Sequence, residues 1–320
     1  MDGLPANVVD FRPARLAGQR TVKAAIGCVG VGLHTGRRIN LMLRPAAPDT
    51  GIVFHRSDLG IDIPARFDCV VDTKLCTVLA SPDDARARVG TVEHVMAALA
   101  ACGVDNAVIE VDGPEVPVLD GSSAPFVFLI DCAGIAEQSA EPRMIEVLRT
   151  VRVTEGEAFA ELRPAVVDGL EMSVSIAFAA EAIGRQSCDM WLTDLDFRHE
   201  LAQARTFTMA SEIAGLQAAG LAKGGSLDNA VVVDGGRVLN PGGLRMANEF
   251  VRHKTLDAVG DLALAGAALR ARFVAHRPGH SLNNRLLRAL FADSSAWRFG
   301  AEATLAGWGA MPDLAAAASA

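Results

Sequence analysis

Apolar positions along the chain follow two periods, and the same succession of periods occurs twice. Ile39, Leu41 and Leu43 recur at every second position between Arg38, Asn40 and Arg44, with Met42 the only interruption. This alternation predicts a strand with one buried face. Strands are also predicted at 21–28, 51–55 and 106–111. A helix is predicted at 92–102, with Thr91 as its cap and Gly103 as its stop, and another at 124–132. The second stretch repeats this grammar. A hairpin at 151–154 and 158–162 turns on Glu155-Gly156, and a strand follows at 171–177. A long helix spans 246–267, then come a strand at 272–276 and a helix at 282–291. The fold class is therefore α+β, with two similar domains at 20–140 and 143–305. The seam falls in the polar stretch 134–142. Residues 206–235 form a helical insert in the second domain. Residues 1–19 are an N-terminal extension and 306–320 a C-terminal tail.

Composition narrows the function. At 320 residues the chain accommodates two cores. No apolar run approaches the roughly 18 residues of a bilayer span, and the N-terminus lacks the order of a signal peptide. The expectation is a cytoplasmic protein without a transmembrane segment, read as a monomer. The net charge of −8 and the absence of a basic block exclude bulk nucleic-acid binding. The six cysteines form no CxxC pair, which fits reduced, mostly buried thiols.

Candidate chemistry concentrates on the 246–267 helix. His253 and Asp257 stand four residues apart on one face, where both can reach one metal ion. Asp261 lies one turn further. His94, at the start of the first-half helix, is a third candidate ligand, and Glu93 beside it a candidate base. Three protein ligands and an open fourth position are the arrangement of catalytic zinc, although ferrous iron also suits two imidazoles and a carboxylate. The Glu93-His94 order is not HExxH, so a thermolysin-like peptidase is not indicated. His280, at a strand-to-helix turn, can act as an acid, with Asp261 holding its proton. Cys76 lies near Lys74, which would lower its pKa, yet no protease-like His or Asn accompanies it. A thiol lining a pocket is the better account. The glycines of 30–36 lack both phosphate-loop spacings and suit a hairpin connection.

Taken together, segments 30–36, 72–77, 91–94, 114–126 with its Asp120-Gly121-Ser122 core, 204–207, 224–226, 250–261 and 279–284 resemble the UDP-3-O-acyl-N-acetylglucosamine deacetylases, zinc amidases of lipid A synthesis. They occur in order over about residues 20–305. The resemblance implies two similar α+β domains whose helices pack face to face between two outer sheets. It implies Zn2+ bound by His94, His253 and Asp257, Glu93 as general base, and a protonated His280 oriented by Asp261. Thr206 would hold the tetrahedral intermediate. Lys254 and Phe207 would contact the sugar-nucleotide of a UDP-3-O-acyl-N-acetylglucosamine substrate, and Arg277 its diphosphate. Met209, Ile213, Leu227 and Ala230 would line a passage for the acyl chain. Lys223, where an apolar residue is common, is a departure. A zinc hydrolase of another amide or ester, and a non-catalytic sugar-nucleotide binder, stay open as alternatives.

Overall fold

The computed structural model describes residues 18–301. The tail, and all of the extension except Gly18 and Gln19, lie outside the described residues. Gln19 itself belongs to the fold. It is buried, its side chain donates to Asp49 Oδ1 and the Glu141 carbonyl, and it accepts from Asn106.

The fold is α+β, and two sheets repeat one pairing scheme. In the first, Ile26–Val31 pairs antiparallel with Arg38–Pro45 and Arg38–Pro45 antiparallel with Ala107–Val111. Ala107–Val111 pairs parallel with Ile52–Arg56, which pairs antiparallel with Ile61–Pro64. In the second, Val151–Glu155, Ala158–Pro164, Ala268–His276, Leu170–Ala177 and Arg185–Trp191 take the same places with the same directions. The second sheet is extended by Arg143–Val147, parallel to Ala268–His276, and by Trp297–Ala301. The expected 21–28 strand is broken. Arg20–Val22 pairs with Ile135–Glu137, inside the predicted seam, and the chain leaves it before Ile26 enters the first sheet. Alternation is faithful where a sheet is covered on one face only: Ile39, Leu41 and Leu43 are buried, and Arg38, Asn40 and Arg44 are exposed.

Each half places one helix directly before its central strand and one directly after it. The Glu93–Ala101 helix packs on the Glu249–Ala263 helix of the other half. Nearly every residue of Glu93–Ala101 is buried, as expected of a helix covered all round. The Glu249–Ala263 helix lies against the second sheet, and His280–Ala292 lies against both that helix and the sheet. Helices of the two halves thus meet along one seam.

Several local expectations are corrected. Thr91 is not a cap. Its φ is +55°, and its hydroxyl donates instead to Glu115. The long helix is shorter than 246–267, because Asn248 is left-handed at its start and Gly266 turns the chain after its end. The last helix begins at His280, with Gly279 in the cap position. The insert opens with a strand, Phe207–Met209, parallel to Val231–Asp234, and only then forms the helix Ala210–Ala218. Among the described residues, no helix is long and apolar enough to cross a membrane.

Candidate active site

The helix seam brings His94, His253 and Asp257 together. One ligand atom from each lies within 4.8 Å of the others. His253 Nε2 is 3.3 Å and His94 Nε2 3.6 Å from Asp257 Oδ1. The imidazoles meet edge to face at 5.1 Å, and all three residues are buried. The Nδ1 of His253 is 3.0 Å from the Ala204 carbonyl. A bond there puts the proton on Nδ1 and leaves the Nε2 lone pair facing the group. Burial lowers the His253 pKa to about 3, so the ring is neutral. Burial opposes ionisation of Asp257, but its neighbours, Lys254 among them, overcome it and hold its carboxyl well below the ordinary value. Lys254 Nζ donates to Asp257 Oδ2 at 2.9 Å. Asp257 Oδ1 is buried and has no hydrogen-bond partner among the described residues. An ionised oxygen without a donor is costly in a protein interior, and the two imidazoles beside it complete a donor set that fits a metal ion.

Beside this group stand a carboxyl and an imidazole, each with a raised pKa. Glu93 is buried, and burial raises its pKa above 4.5. Burial alone would lower the pKa of His280, but the Asp261 and Glu93 carboxylates outweigh it and push it up to about 9. His280 Nδ1 donates to Asp261 Oδ2 at 2.8 Å, and His280 Nε2 stands 3.8 Å from Glu93 Oε1. At neutral pH the imidazole is protonated. A carboxyl whose charge burial disfavours, beside an imidazole whose charge its carboxylate neighbours favour, is an arrangement characteristic of functional sites.

The frame around them is strained in a revealing way. Leu75, Thr91, Leu119, Asn248 and Arg277 all have positive φ without being glycine. They stand just before Cys76-Thr77, the Glu93 helix, the Asp120 loop, the His253 helix and the His280 turn, while Asp49 and Ala222 share the conformation elsewhere. Strain of this kind persists where the surrounding structure over-determines it, characteristically at functional sites.

The other expected residues fall as follows. Thr206 is tied by its main chain: its amide donates to the Gly121 carbonyl, and its carbonyl accepts from Val231. Phe207 stands edge-on to Phe250 and Phe178 and lies 6.3 Å from the His253 ring. Lys254 and Arg277 line one cavity of about 180 Å3, with Phe178 and Pro278. Met209 lines another, of about 310 Å3, with Phe178 and Val233. Neither cavity is lined by Ile213, which is half-buried, by exposed Leu227, or by buried Ala230. Cys76 is buried, and burial, reinforced by Glu93, pushes its thiol up to about 12. Lys74 is exposed and is not among the groups acting on this thiol, so the activation expected from it does not arise.

Four contributors escaped the sequence reading. Thr77, Asn283 and Ser123 bond to Asp261, Asp261 and the His94 carbonyl respectively, and Phe178 lines both cavities. Thr77, Ser123 and Asn283 lie inside segments that carry the resemblance, but nothing local announces partners 184, 29 or 22 residues away.

A paired-helix α+β fold with a buried His–His–Asp group that could hold a metal ion, flanked by Glu93 and His280, defines the class. The chain belongs to the UDP-3-O-acyl N-acetylglycosamine deacetylase family, whose sequence profile matches residues 19–292. Among its relatives, the UDP-3-O-acyl-N-acetylglucosamine deacetylase of Phenylobacterium zucineum (strain HLK1) is 51% identical over 283 residues, 88% of this chain and 95% of the relative. The proteins of the same name from Haemophilus influenzae (strain 86-028NP) and Acidithiobacillus ferrooxidans (strain ATCC 53993 / BNL-5-31) are 47% and 49% identical over 285 residues, 88% of this chain and 92% of each.

Proposed function

We propose that this chain hydrolyses the N-acetyl group of UDP-3-O-acyl-N-acetylglucosamine, releasing acetate and UDP-3-O-acyl-glucosamine for lipid A synthesis in the cytoplasm. The observation that carries the reading is the convergence of His94, from one half, on His253 and Asp257, from the other, beside Glu93 and His280. Residues 20–140 and 143–305 would act as two domains sharing this one site.

His94, His253 and Asp257 would hold Zn2+, and Fe2+ suits the same donors. Zinc there supplies Lewis acidity toward the acetamide carbonyl and lowers the pKa of water. The remaining steps belong to side chains. Glu93, with its pKa raised by burial, would accept the proton of the attacking water. His280, protonated and held by Asp261, would stabilise the developing oxyanion and then protonate the departing amine. Thr206, fixed by the Gly121 loop, would add a donor at the tetrahedral stage. Lys254, Phe207 and Arg277 would seat the sugar and diphosphate, which the shared cavity of Lys254 and Arg277 supports. Met209, Ile213, Leu227, Ala230 and Cys76 would contact the acylated part of the substrate.

The test is acetate release from the acylated UDP-sugar by purified protein, before and after chelation, with metal content measured in parallel. Activity should vanish with the metal and return with zinc or ferrous iron. Equal turnover of metal-free and metal-loaded protein would refute the reading.

A further inference from the structure

Thr77 has no role in the chemistry above, yet it bonds to Glu93 and to Asp261, the carboxylate that holds His280. Its amide donates to Glu93 Oε2 at 3.1 Å, and its hydroxyl donates to Asp261 Oδ1 at 2.6 Å. The residue is buried. The turn before it is built to deliver it. Lys74 N bonds back to Asp72 Oδ1, Leu75 takes φ +69°, and the chain then resumes as strand Val78–Ala80.

The hydrogen-bond arithmetic around Asp261 gives this contact its meaning. Oδ2 accepts from His280 Nδ1 and Asn283 Nδ2, and Oδ1 accepts from Thr77. With both oxygens engaged, the carboxylate plane is fixed, and so is the imidazole bonded to it. On the other side, the Thr77 amide holds Glu93 Oε2, so that Oε1 is the oxygen turned toward His280.

We propose that Thr77 is a positioning residue for the deacetylation. It sets the distance and relative orientation of base and acid by gripping one with its amide and the other, through Asp261, with its hydroxyl. The proposal rests on Glu93 and His280 being that base and acid. Thr77→Val keeps the shape and the amide but leaves Asp261 Oδ1 buried without a donor, free to turn and to carry His280 with it. Substrate is seated elsewhere, so the loss should fall on kcat.

Two variants and one spectrum test this. Thr77→Val is expected to lower kcat about 10–100-fold, the usual cost of losing such an outer partner, with KM within about twofold and metal content as in the wild type. Thr77→Ser, which restores the hydroxyl, should return most of the rate. A Thr77→Val protein with wild-type kcat, a loss confined to KM, or a Thr77→Ser protein as slow as Thr77→Val would each overturn the proposal. In the wild-type protein the buried hydroxyl proton should exchange slowly enough to appear in threonine-edited NMR spectra, and a freely exchanging one overturns the proposal without recourse to any variant that folds poorly. If wild-type protein releases no acetate, the acid–base reading has failed. If wild type turns over and Thr77→Val matches it, only this inference has.

Discussion

A Cβ placed on Gly260 would stand 2.0 Å from the carbonyl oxygen of Glu93. The two central helices therefore touch backbone to backbone at the residue proposed as base. Only glycine permits this approach, and it lets ligands from remote parts of the chain share one site. Gly260→Ala must push the helices apart. The expected cost is about 1–3 kcal/mol of overpacking. A shift of an ångström at a catalytic group costs on the order of 100-fold in rate, so kcat should fall at least about tenfold. Urea unfolding and steady-state kinetics measure both, and an unchanged kcat would show that the site tolerates wider helices.

Glu93→Ala removes the proposed base without touching a ligand atom of the His–His–Asp group. Turnover should fall by about 10²–10⁴-fold, the usual contribution of a positioned base. Metal content should stay at the wild-type level. Full activity in this variant would remove Glu93 from the chemistry, and loss of metal would recast it as part of the binding group.

His280 links the site to stability in the metal-free protein. Burial works against its proton, but Asp261 and Glu93 prevail and raise its pKa from 6.5 to about 9. The folded value lies above the unfolded one. The stabilisation is thus complete below about pH 6.5 and is lost as pH rises through about 9. That rise corresponds to on the order of 3 kcal/mol. Chelated wild-type protein should lose about that much between pH 6 and pH 10, and chelated His280→Gln should lose much less. Parallel urea curves for the two across this range would contradict the assignment.

How far the site was legible follows from which contacts are local. His253 and Asp257 share a face by helical spacing alone, and Ile39, Leu41 and Leu43 declare their strand because one sheet face is covered and the other is not. Thr91 looked like a cap because threonine before a helix usually is one, but the Glu115 carboxylate, buried 24 residues away, captured its hydroxyl. Strands Val78–Ala80 and Arg88–Val89 are too short to show a period, and Trp297–Ala301 is ordered by pairing with Arg143–Val147 across the length of the second half. The same limit hid Thr77: its partner Asp261 is 184 residues distant, and only the folded helix seam makes them neighbours.

Glu249 supports the same seam from its far end. It is fully buried and accepts from Arg205 N at 3.1 Å, Arg205 Nε at 2.8 Å, Arg205 Nη2 at 3.1 Å and Arg245 N at 2.7 Å. Arg245 in turn donates to Asp120 Oδ2 at 2.8 Å, so one carboxylate knots the first turn of the His253 helix, the root of the insert and the Asp120 loop. Glu249→Ala leaves the Arg205 guanidinium buried without a counter-charge, which typically costs about 3–5 kcal/mol. Because Thr206 follows Arg205 directly, kcat should fall as well, in a variant that alters no proposed catalytic group. Glu249→Gln keeps the acceptor oxygen and should cost less. The double variant Glu249→Leu with Arg205→Met removes both charges and should recover much of the stability, since an apolar pair of similar volume often replaces a buried ion pair without loss. It should not recover the rate, because the bond that orients Arg205 N, next to Thr206, is still missing. Recovery of both would mean that the ion pair serves only the fold, and recovery of neither would mean that the knot depends on its bond to Arg245.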